Sequence, residues 1–163
     1  MRFEDLVRRH AADLYRYAFW LARDRQQAED VVQEALLRAW GGFARLRDPA
    51  AAKGWMFSIV RNEFYRMKGR VAPLADVVSL DEIAAPRDEG MAALEMRDAL
   101  MSLPASYAEP LALQVLGGFS CAEIAGMLGT TEGATMTRLT RARQALRRLV
   151  VPEGAAQHKA GRS

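Results

Sequence analysis

The chain has a single cysteine, Cys121, in 163 residues, so no internal disulfide can form. Its two histidines, His10 and His158, are far apart, and no cluster of His, Cys and acidic residues has metal-ligand spacing, which argues against a structural zinc site. Long apolar runs are also missing. The longest charge-free stretch, 110–122, is 13 residues and contains Gln114, Gly117 and Gly118, too short and too polar to span a bilayer. Charge appears within the first five residues and no apolar signal core follows, so the expected location is cytoplasmic. Aromatic residues make up only 8%, and Ala and Leu dominate over Val and Ile, a balance that disfavours an all-β fold and predicts an all-α one. No glycine-rich phosphate loop and no nucleophile-base pair is visible. The sequence therefore predicts no enzyme, no cofactor, no metal and no small-molecule substrate.

What is present is a chain 50% hydrophobic and 26% charged, enough for one ordinary domain or two small helical ones. The net charge of +3 is unevenly spread: residues 1–70 carry a net +5, residues 71–110 a net −6 and residues 111–163 a net +4. Two basic lobes joined by an acidic connector predict two sites for a polyanion, with a middle segment that repels or imitates it.

Helical periodicity runs through 3–22, with Leu6, Val7, Leu14, Ala18 and Leu21 on one side. Asp24, followed three residues later by Gln27, reads as a capping box opening a second helix over about 26–45, weakened at its end by Gly41 and Gly42. Asp48 then Pro49 give an N-cap and a proline at the first helical position, so a third helix should cover about 50–68. From 69 to 91 the periodicity fails, and prolines, a glycine and five acids mark a linker. It returns at 93–103. Pro104 reads as the start of another helix, Pro110 as a break near its first turn, and Gly117 with Gly118 as its close. Ser120 and Glu123 form a second capping box for a short helix ending at Gly129, and Thr131 can cap a last helix running to about Val150. The Gly- and Ala-rich tail, 152–163, reads as disordered.

The short helix, the turn at 129–131 and the long basic helix have the proportions of a helix-turn-helix. At 100° per residue Leu139, Ala142, Leu146 and Leu149 form one stripe facing a small core. Gly133, Thr137, Thr140, Arg141, Gln144 and Arg148 fall opposite, with Arg138 on the flank. Hydroxyl, amide and guanidinium groups of this kind bond base edges and phosphates. In and just after the third helix Trp55, Phe57, Phe64 and Tyr65 interleave with Lys53, Arg61, Arg66, Lys68 and Arg70, a pattern that fits either stacking on unpaired bases or a hydrophobic core. Asp30, Gln33, Glu34 and Arg38 make a polar stripe along the second helix, either a plain solvent face or a docking site.

Four stretches together resemble the extracytoplasmic-function (ECF) class of bacterial RNA polymerase sigma factors, compact members of the sigma-70 family: "AEDVVQEALLRAW", "GWMFSIVRNEF", "VSLDE" and "SCAEIAGMLGTTEGATMTRLTRARQAL". The resemblance covers about residues 3–150 in order. It implies two small helical domains, 1–70 as sigma domain 2 and 93–151 as sigma domain 4, joined by a flexible acidic linker at 71–92 that would lie in polymerase channels otherwise used by nucleic acid. It further implies that Asp30, Gln33, Glu34 and Arg38 grip core RNA polymerase. Leu46, Arg47, Asp48, Lys53, Arg61 and Asn62 would melt the minus-ten element of promoter DNA and hold a flipped base. Thr131, Gly133, Thr137, Arg138, Thr140 and Arg141 would read the minus-thirty-five element, and an anti-sigma factor is the implied regulatory partner. Three positions depart from the family pattern: Met136 stands where Lys or Arg is usual, Leu46 replaces a frequent Phe, and Glu63 replaces a neutral residue. The other reading of the same residues is a conventional helix-turn-helix regulator acting without polymerase.

Overall fold

A computed structural model describes residues 1–69, 99, 100 and 102–150. The linker expected at 71–92 and the tail at 152–163 lie outside the described residues. Among the described residues the fold is all-α, with helices α1 (Phe3–Ala22), α2 (Arg25–Gly42), α3 (Ala52–Met67), α4 (Ala105–Gly117), α5 (Cys121–Leu128) and α6 (Glu132–Val150) and no strand. By contact the described residues divide between two compact units, 1–69 with Ala112–Glu123 in one, and those of 99–111 with 124–150 in the other.

In the first unit α1, α2 and α3 pack on one another. Arg23 ends α1 in the left-handed region, φ 58°, and donates its N–H to the Phe19 carbonyl at 2.8 Å. Asp24 starts α2 immediately, its side chain accepting from the Gln27 N–H at 3.1 Å as the capping pattern predicts. The buried side of α2 consists of Ala28, Val31, Val32, Ala35 and Ala39, a helical repeat whose small side chains let its neighbours approach closely. Leu6, Leu14, Tyr17 and Ala18 meet them from α1, and Met56, Phe57, Val60 and Phe64 from α3. Each large apolar side chain withdrawn from water in this way contributes about 1.5–3 kcal/mol.

Two expectations need correction, and one open alternative is decided. The third helix opens through a 3-10 turn, Pro49–Ala51, with Asp48 accepting from Ala50 N–H at 3.0 Å, so α-helical bonding begins only at Ala52. Phe57, Phe64 and Tyr65 are buried and so belong to the core, not to a stacking platform. Pro110 does not break its helix: α4 runs through it, with the residue buried and the missing N–H costing one ladder bond.

The local punctuation of the remaining helices follows the sequence. Gly118, φ +70°, takes the left-handed conformation after α4, which a side chain would strain, and a Cβ on Gly117 would run into the Phe119 ring. Ser120 Oγ accepts from the Glu123 N–H at 3.2 Å while Glu123 Oε1 accepts from the Ser120 N–H at 2.9 Å, a complete capping box. Thr131 Oγ1 accepts from the Ala134 N–H at 3.1 Å and caps α6. Along α6 the inward stripe Leu139, Ala142, Leu146 and Leu149 is buried, as are Ile124 and Ala125 of α5.

Candidate nucleic-acid interface

Three groups of side chains carry the candidate chemistry, and each owes its position to the packing just described. On α2 the alanine-rich side is buried, which turns Gln33, Glu34 and Arg38 to the exterior. Asp30 is half-buried, accepts from Gln26 Nε2 at 3.1 Å, and lines a shallow cavity of about 240 Å³ with Gln27, Val31, Phe64, Met67 and Lys68. The sequence reading missed two neighbours on this arc. Leu37 is 66% exposed and Trp40 61% exposed, with the Phe3 ring edge-on to Trp40 at 5.2 Å. Their spacing of four and seven residues from Gln33 was the available signal.

Arg38 is not a free cation on that face. Its Nε donates to Glu63 Oε1 at 3.0 Å and lies 2.8 Å from Oε2, while Arg66 of the same α3 turn grips both carboxylate oxygens from the other side. The Glu63 side chain is 2% exposed and both arginines are about half exposed. Burial alone pushes the Glu63 carboxyl up, but hydrogen bonds from Arg66 and Arg38, with their charges, outweigh it and hold the group below the usual carboxylate range. The same hydrogen bond raises Arg66 against its own desolvation. A carboxylate between two guanidinium groups thus joins α2 to α3.

The second group lies before and along α3. Leu46 is half-buried at the end of the 3-10 turn Phe43–Arg45, whereas Arg47, Asp48 and Asn62 are exposed. Lys53 is half-buried, 3.6 Å from Asp13 and 5.9 Å from the centre of the Phe57 ring. Arg61 is 7% exposed, its guanidinium carbon 5.2 Å from the centre of the Tyr65 ring. Nearby, burial and then the charges of Lys53 and Arg9 lower the His10 value against the opposing pull of Asp13. Of the six residues, Arg47, Asp48 and Asn62 are exposed, Leu46 is half-buried, and Lys53 and Arg61 are cations engaged with the body of the unit.

The third group is the outer side of α6. Thr131, Gly133, Thr137, Thr140 and Arg141 are exposed and Arg138 is half-buried on the flank, with Gln144 and Arg148 continuing the exposed face. Nothing lies within 4 Å of a Cβ built on Gly133, so the helix backbone is bare there. Cations on the last turns, Arg147 and Arg148, also complement the helix dipole. Among the described residues no group of His, Cys, Asp and Glu could hold a metal ion, and no helix is long and apolar enough to cross a membrane.

The stretches that match known families contain all three groups. The family descriptions "Sigma-70 region 2" and "Sigma-70, region 4" match residues 6–72 and 93–146. The chain is 42% identical over 147 residues to the ECF RNA polymerase sigma factor SigL of Mycobacterium tuberculosis, covering 85% of this chain and 82% of that protein. It is 35% identical over 153 residues to SigM of the same organism, covering 91% and 76%. Among solved structures it is similar to the sigma factor RpoE of Bartonella quintana, co-crystallised with the anti-sigma factor NepR: TM-score 0.70, 26% identity, covering 91% of this chain and 96% of that one. CnrH, solved with the cytosolic domain of CnrY, shares the fold at TM-score 0.64 and 24% identity.

Proposed function

Because the chain belongs to the ECF family of RNA polymerase sigma factors, we propose that it joins core RNA polymerase, directs it to promoter DNA by reading two elements, and opens the duplex at the downstream one. Asp30, Gln33, Glu34 and Arg38 of α2 dock on the polymerase, with Leu37 and Trp40 adding apolar area beside them. Arg47, Asp48 and Asn62, with Leu46, meet the melted minus-ten strand, while Lys53 and Arg61 hold the α1 and α3 surfaces beneath it. Thr131, Gly133, Thr137, Arg138, Thr140 and Arg141 present α6 to the minus-thirty-five duplex. An anti-sigma factor, the partner type seen with the similar RpoE structure, controls access to these faces. Residues 1–70 and 93–151 act as the two domains, and the acidic charge of 71–92 suits a segment lying where nucleic acid otherwise passes.

The observation that carries this reading is the division of α6 into a fully buried stripe of Leu139, Ala142, Leu146 and Leu149 and a cationic exposed side. A helix that only braced a core would not need to present bare backbone at Gly133 and four exposed arginines, Arg141, Arg143, Arg147 and Arg148. The test is transcription in vitro from genomic fragments by purified core polymerase with and without the protein, with start sites mapped. Starts that appear only with the protein and share paired upstream motifs are the expected result. DNA binding without polymerase and no new starts would instead make it a conventional helix-turn-helix regulator.

A further inference from the structure

The outward side of α6 is chemically less polar than its residue names imply. Thr137 Oγ1 donates to the Gly133 carbonyl at 3.1 Å, and Thr140 Oγ1 donates to the Met136 carbonyl at 3.0 Å. A hydroxyl carries one hydrogen, so neither threonine has a donor left for a base edge. With the oxygen folded back on the helix, the other branch of each side chain is a methyl group. Beside Thr140, one turn from it and one from Gly133, stands Met136, 55% exposed and without any hydrogen to donate. Met136, Thr137 and Thr140 thus make a small apolar patch on the exposed side of α6, with Arg141 and then Arg138 beside it on the Thr137 edge.

In the major groove of DNA the only apolar group at a base edge is the C5-methyl of thymine. We infer that Met136, with the methyl groups of Thr137 and Thr140, takes up a thymine methyl in the upstream promoter element, making this position a determinant of sequence choice. The inference rests on α6 being the duplex-reading helix, and it names what that helix reads. The guanidinium groups beside the patch on the same helix favour a polyanion over an apolar protein surface as the occupant. The bare backbone at Gly133, with no atom within 4 Å of a built Cβ, lets the helix come close enough for van der Waals contact. A basic side chain at 136 would present donors that select guanine acceptors; a thioether presents none.

The experiment uses full-length protein assembled with core polymerase and a pool of duplexes randomised across the length of a promoter. The pool is synthesised once with thymine and once with deoxyuridine, which lacks only the C5-methyl. The expected result is a motif from the thymine pool with one upstream T·A pair whose enrichment falls about threefold to fivefold in the deoxyuridine pool, the size expected for withdrawing one methyl group from water. Met136→Ala should lose that preference in the thymine pool while retaining the rest of the motif, and Met136→Leu should keep it. The same motif recovered equally from both pools would overturn the inference but leave α6 as the reader. No upstream motif from either pool would overturn the reading of α6 itself. Met136→Ala altering assembly with core polymerase while the DNA motif is unchanged would mark the patch as a protein contact and also overturn it.

Discussion

Glu63 meets two arginines at once, and the charge balance there gives its substitution a signed dependence on pH. Its carboxyl is held below the usual range in the folded protein because the hydrogen bonds and charges of Arg66 and Arg38 exceed the cost of burial. A depressed native value contributes stability that is present above the unfolded carboxyl value, near about 4.3, and is lost as the pH falls through the native value. Glu63→Gln should therefore lower unfolding stability by about 1–2 kcal/mol at neutral pH, the lower part of the range for charged hydrogen bonds because both arginines can rehydrate. The gap to the wild type should hold down to about pH 5 and close below it, as read by urea unfolding at a series of pH values; a gap unchanged into strong acid would mean that the carboxylate is not its source. The sequence flagged Glu63 as a departure from the family pattern and Arg38 as a polymerase contact. It could not pair them, since they lie 25 positions apart on different helices and no local spacing rule reaches that far.

At the scale of elements, what was legible was whatever neighbours in sequence decide. Asp24, Ser120 with Glu123, and Thr131 each cap the helix that their pattern predicts, because a cap is satisfied within three residues. Thr131→Ala removes the acceptor for the Ala134 N–H and should cost about 1 kcal/mol. Gly118→Ala, at φ +70°, should cost a similar amount, about 1 kcal/mol, through backbone strain. Thermal unfolding of the purified variants checks both, and a change within experimental error at either position would remove that residue from the account. Less legible was which side of α3 is inside. Alternating aromatic and basic residues satisfy a stacking platform and a core equally well, and only tertiary packing, such as Phe57 against Tyr17 and Phe119, decides that Phe57, Phe64 and Tyr65 are buried. Pro110 misled for the same reason: local sequence gives the cost of a proline but not that the residue is buried within a continuing helix.

For the whole molecule the uneven charge was the most informative feature, since it is independent of helix boundaries. It indicated two basic lobes, and the exposed cations on α6 are consistent with it. The division by contact, which places Ala112–Glu123 with the first unit, depends on packing between distant stretches and left no mark in local periodicity. If the two interfaces are separable, Arg141→Ala should weaken promoter binding by the holoenzyme and reduce the salt dependence of that binding by about one unit of slope, with affinity for core polymerase unchanged. Glu34→Ala should show the opposite pattern, with weaker polymerase assembly and an unaltered upstream motif. Titration of labelled protein against core polymerase, followed by promoter binding across a salt series, separates the two, and a variant that lost both properties together would argue against independent faces. The shared carboxylate between α2 and α3 also shapes how this sequence can drift. Since Arg38 and Arg66 both serve Glu63, either can be exchanged while the other still neutralises the buried charge, whereas Glu63 has no understudy. Random mutagenesis with selection for folding should therefore return tolerant positions at 38 and 66 around a restricted one at 63, with losses at 38 and 66 seldom surviving in the same clone.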